Sequence, residues 1–340
     1  MGTMLSRRVL KVVLFLCVLA PVGLSGQTQG VAPVLKIIHF SVGNGDSTLL
    51  VLDDGSNSHK PMLSVLIDGG SRLMAANVVI PGIRAAGIEG LDYVIATHKD
   101  LDHAGGLYKV LEAIPMTGRG YVYERDQKWP ITKDGGLLKA GMPLPVGLEK
   151  DSSQIPKNKL EIKCVAVDGN VSGVPWDSHM GVLDENARSM AFLVIFGKFR
   201  YFIGGDLTGG GTSAWQASAD IESRVAREVG RVTVLRVNHH GSVTSSNSAF
   251  LGALQPVVAV VSASPDVKTD SLFHWPSETV LMRLSRIPQL RAIYVTGSAE
   301  ASKLSDEDKK KIHGGKGNIT VTTTGDDNFQ VNEDTYPLAK

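Results

Sequence analysis

Four side chains that commonly bind metal ions lie within the six positions 98–103, in the stretch "IATHKDLDHAGGL". They are His98, Asp100, Asp102 and His103. In a tight turn after a strand, His98 and Asp100 can point toward one divalent ion. The next pair, Asp102 and His103, can then point toward a second ion. The spacing predicts a two-metal site, because a solvated acidic turn would leave both histidines without a role.

More polar side chains follow the ends of other apolar runs. Asp68 follows "LSVLI", Asp206 follows "FIGG", and His239 and His240 follow "VLRVN". Strand ends of a layered α/β protein meet at one edge of its sheets, so these side chains are expected near positions 98–103. Asp206, arriving from another strand, can bridge two ions. Two ions roughly 3.5–4 Å apart can hold a bridging hydroxide at neutral pH, which predicts a hydrolase.

The elements that must position these side chains alternate between short strands and helices. The runs "VLKIIHF" and "STLLVL" flank the turn "GNG", and "SMAFLVIFGKFRYFIGG" indicates a hairpin that turns at 197–198. Residues 71–86 have helical spacing, with a break or kink at Pro81. Residues 117–180, rich in Gly, Pro and Lys, are predicted to be an insertion or lid. The stretch "NITVTTTGDDNFQVN" indicates a closing hairpin, and the whole order favours an α/β fold.

Composition limits the classes of function. A chain of 340 residues with 43% hydrophobic side chains can bury one large or two small cores. The formal net charge of +1 gives no global basic field to steer nucleic acid or an anionic membrane toward the protein. The two cysteines, Cys17 and Cys164, do not provide a disulfide framework.

The N-terminus has the pattern of a secretory signal. Arg7, Arg8 and Lys11 precede an apolar run of roughly a dozen residues that is followed by Ser25 and Gly26. The run is short for a membrane span, and an uncleaved anchor is the alternative. We therefore predict that residues 1–26 are a signal peptide and that the mature chain is periplasmic or extracellular, with no membrane span.

The motifs together resemble the metallo-β-lactamase superfamily, and within it the soluble hydrolase domain of ComEC-type competence proteins. The superfamily's H-x-[HD]-x-D-H motif is matched at 98–103, and its later aspartate and histidine are matched by Asp206 and by "NHHGS". ComEC-like features are "FSVGNGDS", the pair Asn186 and Ser189, "HHGS" and "HWPSETV". The resemblance covers residues 34–332 and implies an α/β fold, a four-layer αβ/βα sandwich.

The resemblance implies a role for each site residue. The implied metal ligands are His98, Asp100, Asp102, His103, Asp206 and His240; the implied catalytic groups are Asp102, His239 and His274; and Asp68 and Asn186 orient the ligands. The reverse assignment of His239 and His240 stays open, and His274 is equally compatible with a packed, hydrogen-bonded histidine. Zn²⁺ is the first expectation, but Asp100 and Asn186 replace common histidine ligands, so Mn²⁺ or Mg²⁺ also suits the site.

Three classes of function follow. The resemblance favours a metal-dependent phosphodiesterase or nuclease that acts on a small-molecule or nucleic-acid phosphodiester. The fold also permits a lactonase or β-lactamase acting on a carboxylic substrate, and a binding protein without turnover is the third possibility. The chain has no multi-span channel region, so a role in DNA uptake does not follow from the resemblance. The sequence leaves the oligomeric state open.

Overall fold

The computed structural model describes residues 32–56, 61–124, 136–146, 160–177, 179, 181–211, 218–264, 275–315 and 317–338. These residues belong to one compact unit within 32–340. The predicted signal peptide, residues 1–26, and the candidate catalytic His274 lie outside the described residues.

Strands and short helices follow one another along the described part of the chain. The strands are β1 (Val34–His39), β2 (Thr48–Asp53), β3 (Pro61–Ile67), β4 (Leu91–Ile95), β5 (Met116–Glu124), β6 (Gly136–Leu137), β7 (Leu160–Val167), β8 (Asn170–Val171), β9 (Ala191–Phe196), β10 (Phe199–Ile203), β11 (Val234–Arg236), β12 (Val258–Val261), β13 (Ala292–Val295), β14 (Ile312–His313), β15 (Ile319–Thr323), β16 (Asn328–Val331) and β17 (Asp334–Pro337). The helices are α1 (Arg72–Met74), α2 (Ile80–Ala85), α3 (Leu107–Ala113), α4 (Glu222–Val229), α5 (Ser248–Leu254), α6 (Glu278–Ser285) and α7 (Asp306–Lys309).

The strands form two mixed sheets. In the part of the chain that is described, the first sheet has the order β17-β16-β15-β1-β2-β3-β4-β5-β6, antiparallel as far as β3 and parallel from β3 onward. The second has the order β14-β13-β12-β11-β10-β9-β7-β8, parallel from β14 to β10 and antiparallel beyond. The parallel part of each sheet places several strand carboxyl ends at one edge.

Three apolar clusters stack the elements into four layers. The central cluster joins the facing sides of the two sheets, with Ile37 and Ile95 from one sheet and Phe192 and Val260 from the other. The outer face of the first sheet is covered by α2 and α3, and that of the second by α4, α5 and α6. This arrangement confirms the predicted αβ/βα sandwich. None of the described helices is long and apolar enough to cross a membrane.

Part of the predicted insertion or lid, residues 117–180, is core structure. β5 pairs with β4 in the first sheet, and β7 pairs with β9 in the second. Along β7 the buried Leu160, Ile162 and Cys164 alternate with the less buried Glu161 and Lys163. The lid interpretation is therefore wrong for these strands. In β7 the charged residues that point outward made the alternation of buried and exposed positions hard to recognise in the sequence.

The helical stretch predicted for 71–86 is present but irregular. A π-helical segment, Ala75–Val79, separates α1 from α2, and Pro81 lies at the start of α2. Proline has no amide hydrogen to donate and its ring crowds the preceding turn, so a widened turn directly before it is physically expected. The predicted hairpins at 197–198 and near the C-terminus also form, as β9–β10 and β15–β16.

Candidate metal centre

The candidate residues lie where the two sheets bring the carboxyl ends of their parallel strands together. From the first sheet, Asp68 follows β3 and the 98–103 cluster follows β4. From the second sheet, Asp206 follows β10, His239 and His240 follow β11, and Ser262 follows β12. Each half of the molecule therefore supplies part of one site.

Asp68 fixes the direction of His98 through Thr97. The Asp68 carboxylate accepts hydrogen bonds from the Thr97 backbone amide and hydroxyl, both at 2.7 Å. Because the Thr97 hydroxyl donates its proton to Asp68, it accepts one from His98 Nδ1 at 3.0 Å. The Nε2 lone pair of His98 is then free to face the site, where it lies 3.9 Å from Asp206 Oδ2.

His103 is also oriented by a hydrogen bond at its Nδ1 atom, here directly to Asp68. Its Nδ1 donates to Asp68 Oδ2 at 2.9 Å, and its Nε2 lies 3.2 Å from Asp206 Oδ1. The His103 side chain and the Asp68 side chain are fully buried. Asp68 is thus hydrogen-bonded directly to His103 and through Thr97 to His98, the two histidines of the 98–103 cluster.

His240 completes the set from the second sheet. Its Nδ1 donates to the Ser262 carbonyl at 3.0 Å, so that its Nε2 faces the site. This Nε2 lies 3.5 Å from Asp102 Oδ2 and 3.5 Å from Asp206 Oδ2. Three imidazole Nε2 atoms, carried by both halves of the molecule, therefore converge on the Asp206 carboxylate.

The segment that carries His239 and His240 has an unusual backbone. Both residues adopt left-handed conformations, with φ of 49° and 51°. Such a conformation costs roughly 1–2 kcal/mol for each non-glycine residue. The backbone amide of His239 donates to Gly205 at 3.1 Å, beside Asp206, which ties the strained segment to the Asp206 loop. The strain directs two adjacent imidazoles toward one carboxylate.

Two groups of candidate ligands around Asp206 and Asp102 have all their ligand atoms within 4.8 Å of one another. One consists of His98, His103 and Asp206, and the other of Asp102, His103 and His240. Among the described residues, two buried atoms at this position, His98 Nε2 and Asp206 Oδ1, have no assigned hydrogen bond, and Asp206 Oδ1 faces His103 Nε2 at 3.2 Å. Buried polar atoms without a partner are costly, and a divalent cation would satisfy both. The residues present therefore fit a metal centre.

The electrostatics of the site also favour a cation. Burial raises the pKa of Asp206, but His103, His240 and His239 outweigh it and hold that pKa well below its usual value. Burial lowers the pKa of His240, yet Asp206 and Asp102 raise it to about 9. The pKa of His103 is raised well above its usual value, because Asp206 and Asp68 overcome the effect of burial. The same negative charge attracts a metal ion, whose binding would release the protons from these histidines.

The remaining predicted residues lie at the open side of the site. Asp100 has a side chain that is 48% exposed, and its Oδ2 is 3.6 Å from His98 Nε2. His239 Nε2 lies 3.7 Å from Asp206 Oδ2 and 3.4 Å from Asn186 Nδ2. The indole of Trp275 packs against His239 with ring centroids 5.7 Å apart. Asp100 and His239 are thus the more exposed of the side chains that lie near Asp206 and His98.

Several residues that shape the site were not singled out from the sequence. Thr97 and Ser262 orient histidines, and Ser189 Oγ accepts a hydrogen bond from the Asp206 amide at 3.1 Å. Only Ser189 carried a signal, as part of the ComEC-like pair with Asn186. Arg236 forms a buried ion pair with Asp46, at 2.5 Å between Nη2 and Oδ2. Its position on a strand gave no indication of that partner.

Comparison with known proteins identifies relatives of this chain. A protein-family model described as the metallo-beta-lactamase superfamily matches residues 61–264. ComE operon protein 3 of Bacillus subtilis is 28% identical over 226 residues, which are 63% of this chain and 24% of that protein. Competence protein ComA of Neisseria gonorrhoeae is 27% identical over 229 residues, which are 66% of this chain and 26% of that protein. The predicted resemblance is confirmed, and the chain spans about a quarter of the length of these relatives.

A solved structure has a similar architecture. The metallo-beta-lactamase fold protein YhfI from Bacillus subtilis is 12% identical, with a TM-score of 0.41. The match covers 82% of this chain and 94% of that protein.

Proposed function

The chain belongs to the metallo-β-lactamase superfamily, and we propose that within it the protein is a metal-dependent phosphodiesterase or nuclease. The observation that carries the proposal is the convergence of the Nε2 atoms of His98, His103 and His240 on Asp206. Each of these three histidines has its Nδ1 occupied by a hydrogen bond within the protein. Histidines held in this way are ready to bind a metal through the other nitrogen.

Two ions are assigned to the site. His98, Asp100 and Asp206 would hold the first ion, Asp102, His103 and His240 would hold the second, and the Asp206 carboxylate lies close enough to both groups to contribute to each. Zn²⁺ suits the imidazole nitrogens, and the carboxylates also suit Mn²⁺ or Mg²⁺. When bound, such ions supply Lewis acidity and lower the pKa of water toward about 7.

The protein's own groups orient the substrate and stabilise the transition state. His239 is 14% exposed at its side chain, and its Nδ1 lies 3.2 Å from Thr244 Oγ1, which fixes the ring. In the neutral ring Nε2 accepts a hydrogen bond from Asn186 Nδ2 at 3.4 Å, and a protonated His239 ring would donate from Nε2 to a phosphoryl oxygen or to the leaving group. The Asp102 side chain is 38% exposed, and its carboxylate adds negative charge to the site. His274 keeps its predicted catalytic role as a proposal, because it lies outside the described residues.

A phosphodiester fits this site better than a carboxylic substrate. The carboxylate of Asp100, at a position where superfamily members commonly have histidine, favours harder cations, and these bind phosphoryl oxygens well. A pair of divalent ions held by these residues would supply the positive charge that a displacement at phosphorus requires.

One panel of substrates tests the proposal. The metal-free protein is reconstituted with Zn²⁺ or Mn²⁺ and offered bis(p-nitrophenyl) phosphate, single-stranded DNA, duplex DNA, a lactone and a chromogenic cephalosporin. We expect turnover of at least one phosphodiester, and its loss in Asp206→Ala. The exposed Asp327→Ala variant is the matched control, because the Asp327 side chain pairs only with Lys198 among the described residues.

Two outcomes would overturn the assignment. Turnover of the lactone or cephalosporin without any phosphodiester would establish the carboxylic hydrolase instead. Binding of two metal ions without turnover of any substrate in the panel would favour a binding protein of the same fold.

A further inference from the structure

The turn between β1 and β2, residues 41–46, lies between the two halves of the metal centre. Its sequence is "SVGNGD", and it contributes none of the proposed ligands. The backbone amide of Asp46 donates to the carbonyl of Asp102 at 3.1 Å, and the carbonyl of Asp46 accepts from Gly70 at 2.8 Å. One side of the turn is thus bound to the loops of the first sheet that carry Asp102 and Asp68.

The other side of the turn is bound to the second sheet. The carbonyl of Gly45 accepts a hydrogen bond from Ser262 Oγ at 2.7 Å, and Asn44 Oδ1 accepts one from the Ser264 amide at 2.9 Å. Ser262 is also the residue whose carbonyl orients His240, at 3.0 Å. A single serine therefore connects the turn to a candidate metal ligand.

Gly45 sets how closely the turn approaches Asp102. A Cβ atom built on Gly45 would lie 2.4 Å from the Asp102 carbonyl oxygen and 3.2 Å from the Asp102 Cβ. Backbone atoms cannot yield as a flexible side chain can, so any side chain at position 45 must displace the Asp102 backbone. By contrast, a Cβ on Gly43 in the same turn would meet nothing within 4 Å.

A buried ion pair adds a further attachment. Arg236 at the end of β11 places Nη2 2.5 Å from Asp46 Oδ2, and both side chains are almost wholly buried. The segment that carries His239 and His240 begins a few residues after Arg236. The same strand thus supplies the partner of Asp46 and leads into the second sheet's histidines.

We propose that the turn 41–46 is a clamp that sets the separation of Asp102 and His240, and that Gly45, Asp46 and Ser262 are positioning residues for the ion held between them. The clamp works through backbone contacts on the Asp102 side and through the Ser262 hydroxyl on the His240 side. This inference rests on the metal centre of the proposed function but not on the identity of its substrate.

Metal binding tests the clamp without any assay of activity. Mn²⁺ is titrated into the metal-free full chain, and electron paramagnetic resonance distinguishes a spin-coupled Mn²⁺ pair from isolated ions. We expect Ser262→Ala to weaken binding of one of the two ions by about tenfold or more and to reduce the coupled signal, as loss of the outer partners of ligands commonly does. Gly45→Ala should have the same effect through displacement of Asp102. Gly43→Ala is the control, since it adds backbone strain in the same turn without touching Asp102.

The outcomes separate the clamp from the metal centre. Near-ultraviolet circular dichroism confirms that each variant is folded, and Ser262→Ala removes only one hydroxyl if Gly45→Ala does not fold. If the wild-type protein binds two ions and Ser262→Ala binds them with equal affinity and coupling, the clamp is wrong and the metal centre stands. If the wild-type protein binds no ion, the metal centre and the clamp are both overturned.

Discussion

Asp68 holds His103 from the side of the imidazole ring that is opposite to Asp206. The Asp68 Oδ2 atom lies 2.9 Å from His103 Nδ1, while His103 Nε2 lies 3.2 Å from Asp206 Oδ1. Asp46, Asp68 and His103 also form a close group of possible ligands. In this group Asp68 lies at His103 Nδ1, which is the nitrogen on the side of the ring away from Asp206. A carboxylate behind a metal-binding histidine fixes the tautomer and makes the ring a stronger ligand.

The first prediction concerns this contact. Asp68→Ala should weaken metal binding about 10- to 100-fold, because His103 and Thr97 both lose their acceptor while every proposed ligand is retained. Isothermal titration of the metal-free protein with Zn²⁺ measures the change. Asp327 is exposed and pairs with Lys198, so the Asp327→Ala variant should bind Zn²⁺ as the wild-type protein does. Wild-type affinity in Asp68→Ala would contradict the orienting role.

The second prediction concerns Asp206. Its carboxylate is within 4 Å of the Nε2 atoms of His98, His103, His239 and His240. Asp206→Ala should therefore release or misplace both ions and abolish turnover. Elemental analysis of the purified variant gives the number of ions for each chain. Full double occupancy in Asp206→Ala would remove Asp206 as the bridging ligand.

The candidate ligands were predictable because local sequence alone brings most of them together. His98, Asp102 and His103 share one turn, and Asp206 and His240 each follow an apolar strand that glycine or asparagine ends. Strand ends of parallel sheets meet by geometry, so a few short motifs are enough to place these side chains. The order of strands and helices predicted an α/β fold, and the four-layer sandwich followed from the family resemblance.

The supporting residues were not predictable for a physical reason. Thr97, Ser262 and Arg236 act through hydrogen bonds and an ion pair whose partners are set only when the two sheets face each other. A hydroxyl or a guanidinium on a strand carries no local signal of its partner. β7 was missed because its alternation of buried and charged residues is short and lies in a polar region of the sequence.

The third prediction separates His239 from His240. His240→Ala should lose an ion, because His240 Nε2 lies 3.5 Å from both Asp102 and Asp206. His239→Ala should keep both ions and lower kcat by about 10²- to 10⁴-fold, since its imidazole faces the entrance and can act on the leaving group. Metal content and the rate of phosphodiester hydrolysis are measured on the same preparations. Loss of an ion in His239→Ala but not in His240→Ala would reverse the two roles.

Glu222 provides a titrating group outside the metal centre. Its side chain is buried at the start of α4 and accepts hydrogen bonds from Asn238 Nδ2 at 2.7 Å and from the amides of Ser246 and Asn247 at 2.7 and 2.8 Å. These bonds hold both ends of the segment that carries His239 and His240. Burial nevertheless dominates and raises the pKa of Glu222 to about 7.

The last prediction is a pH dependence of stability that Glu222 causes. Between pH 4.5 and about 7 the native protein keeps a proton on Glu222 that the unfolded chain has released. The native state then binds more protons than the unfolded state, so the free energy of unfolding falls as pH rises through this window, by about 3 kcal/mol from this group. Glu222→Gln does not titrate and should lack this fall. Urea unfolding of both metal-free proteins at a series of pH values measures the difference, and parallel curves would show that the pKa of Glu222 is not raised.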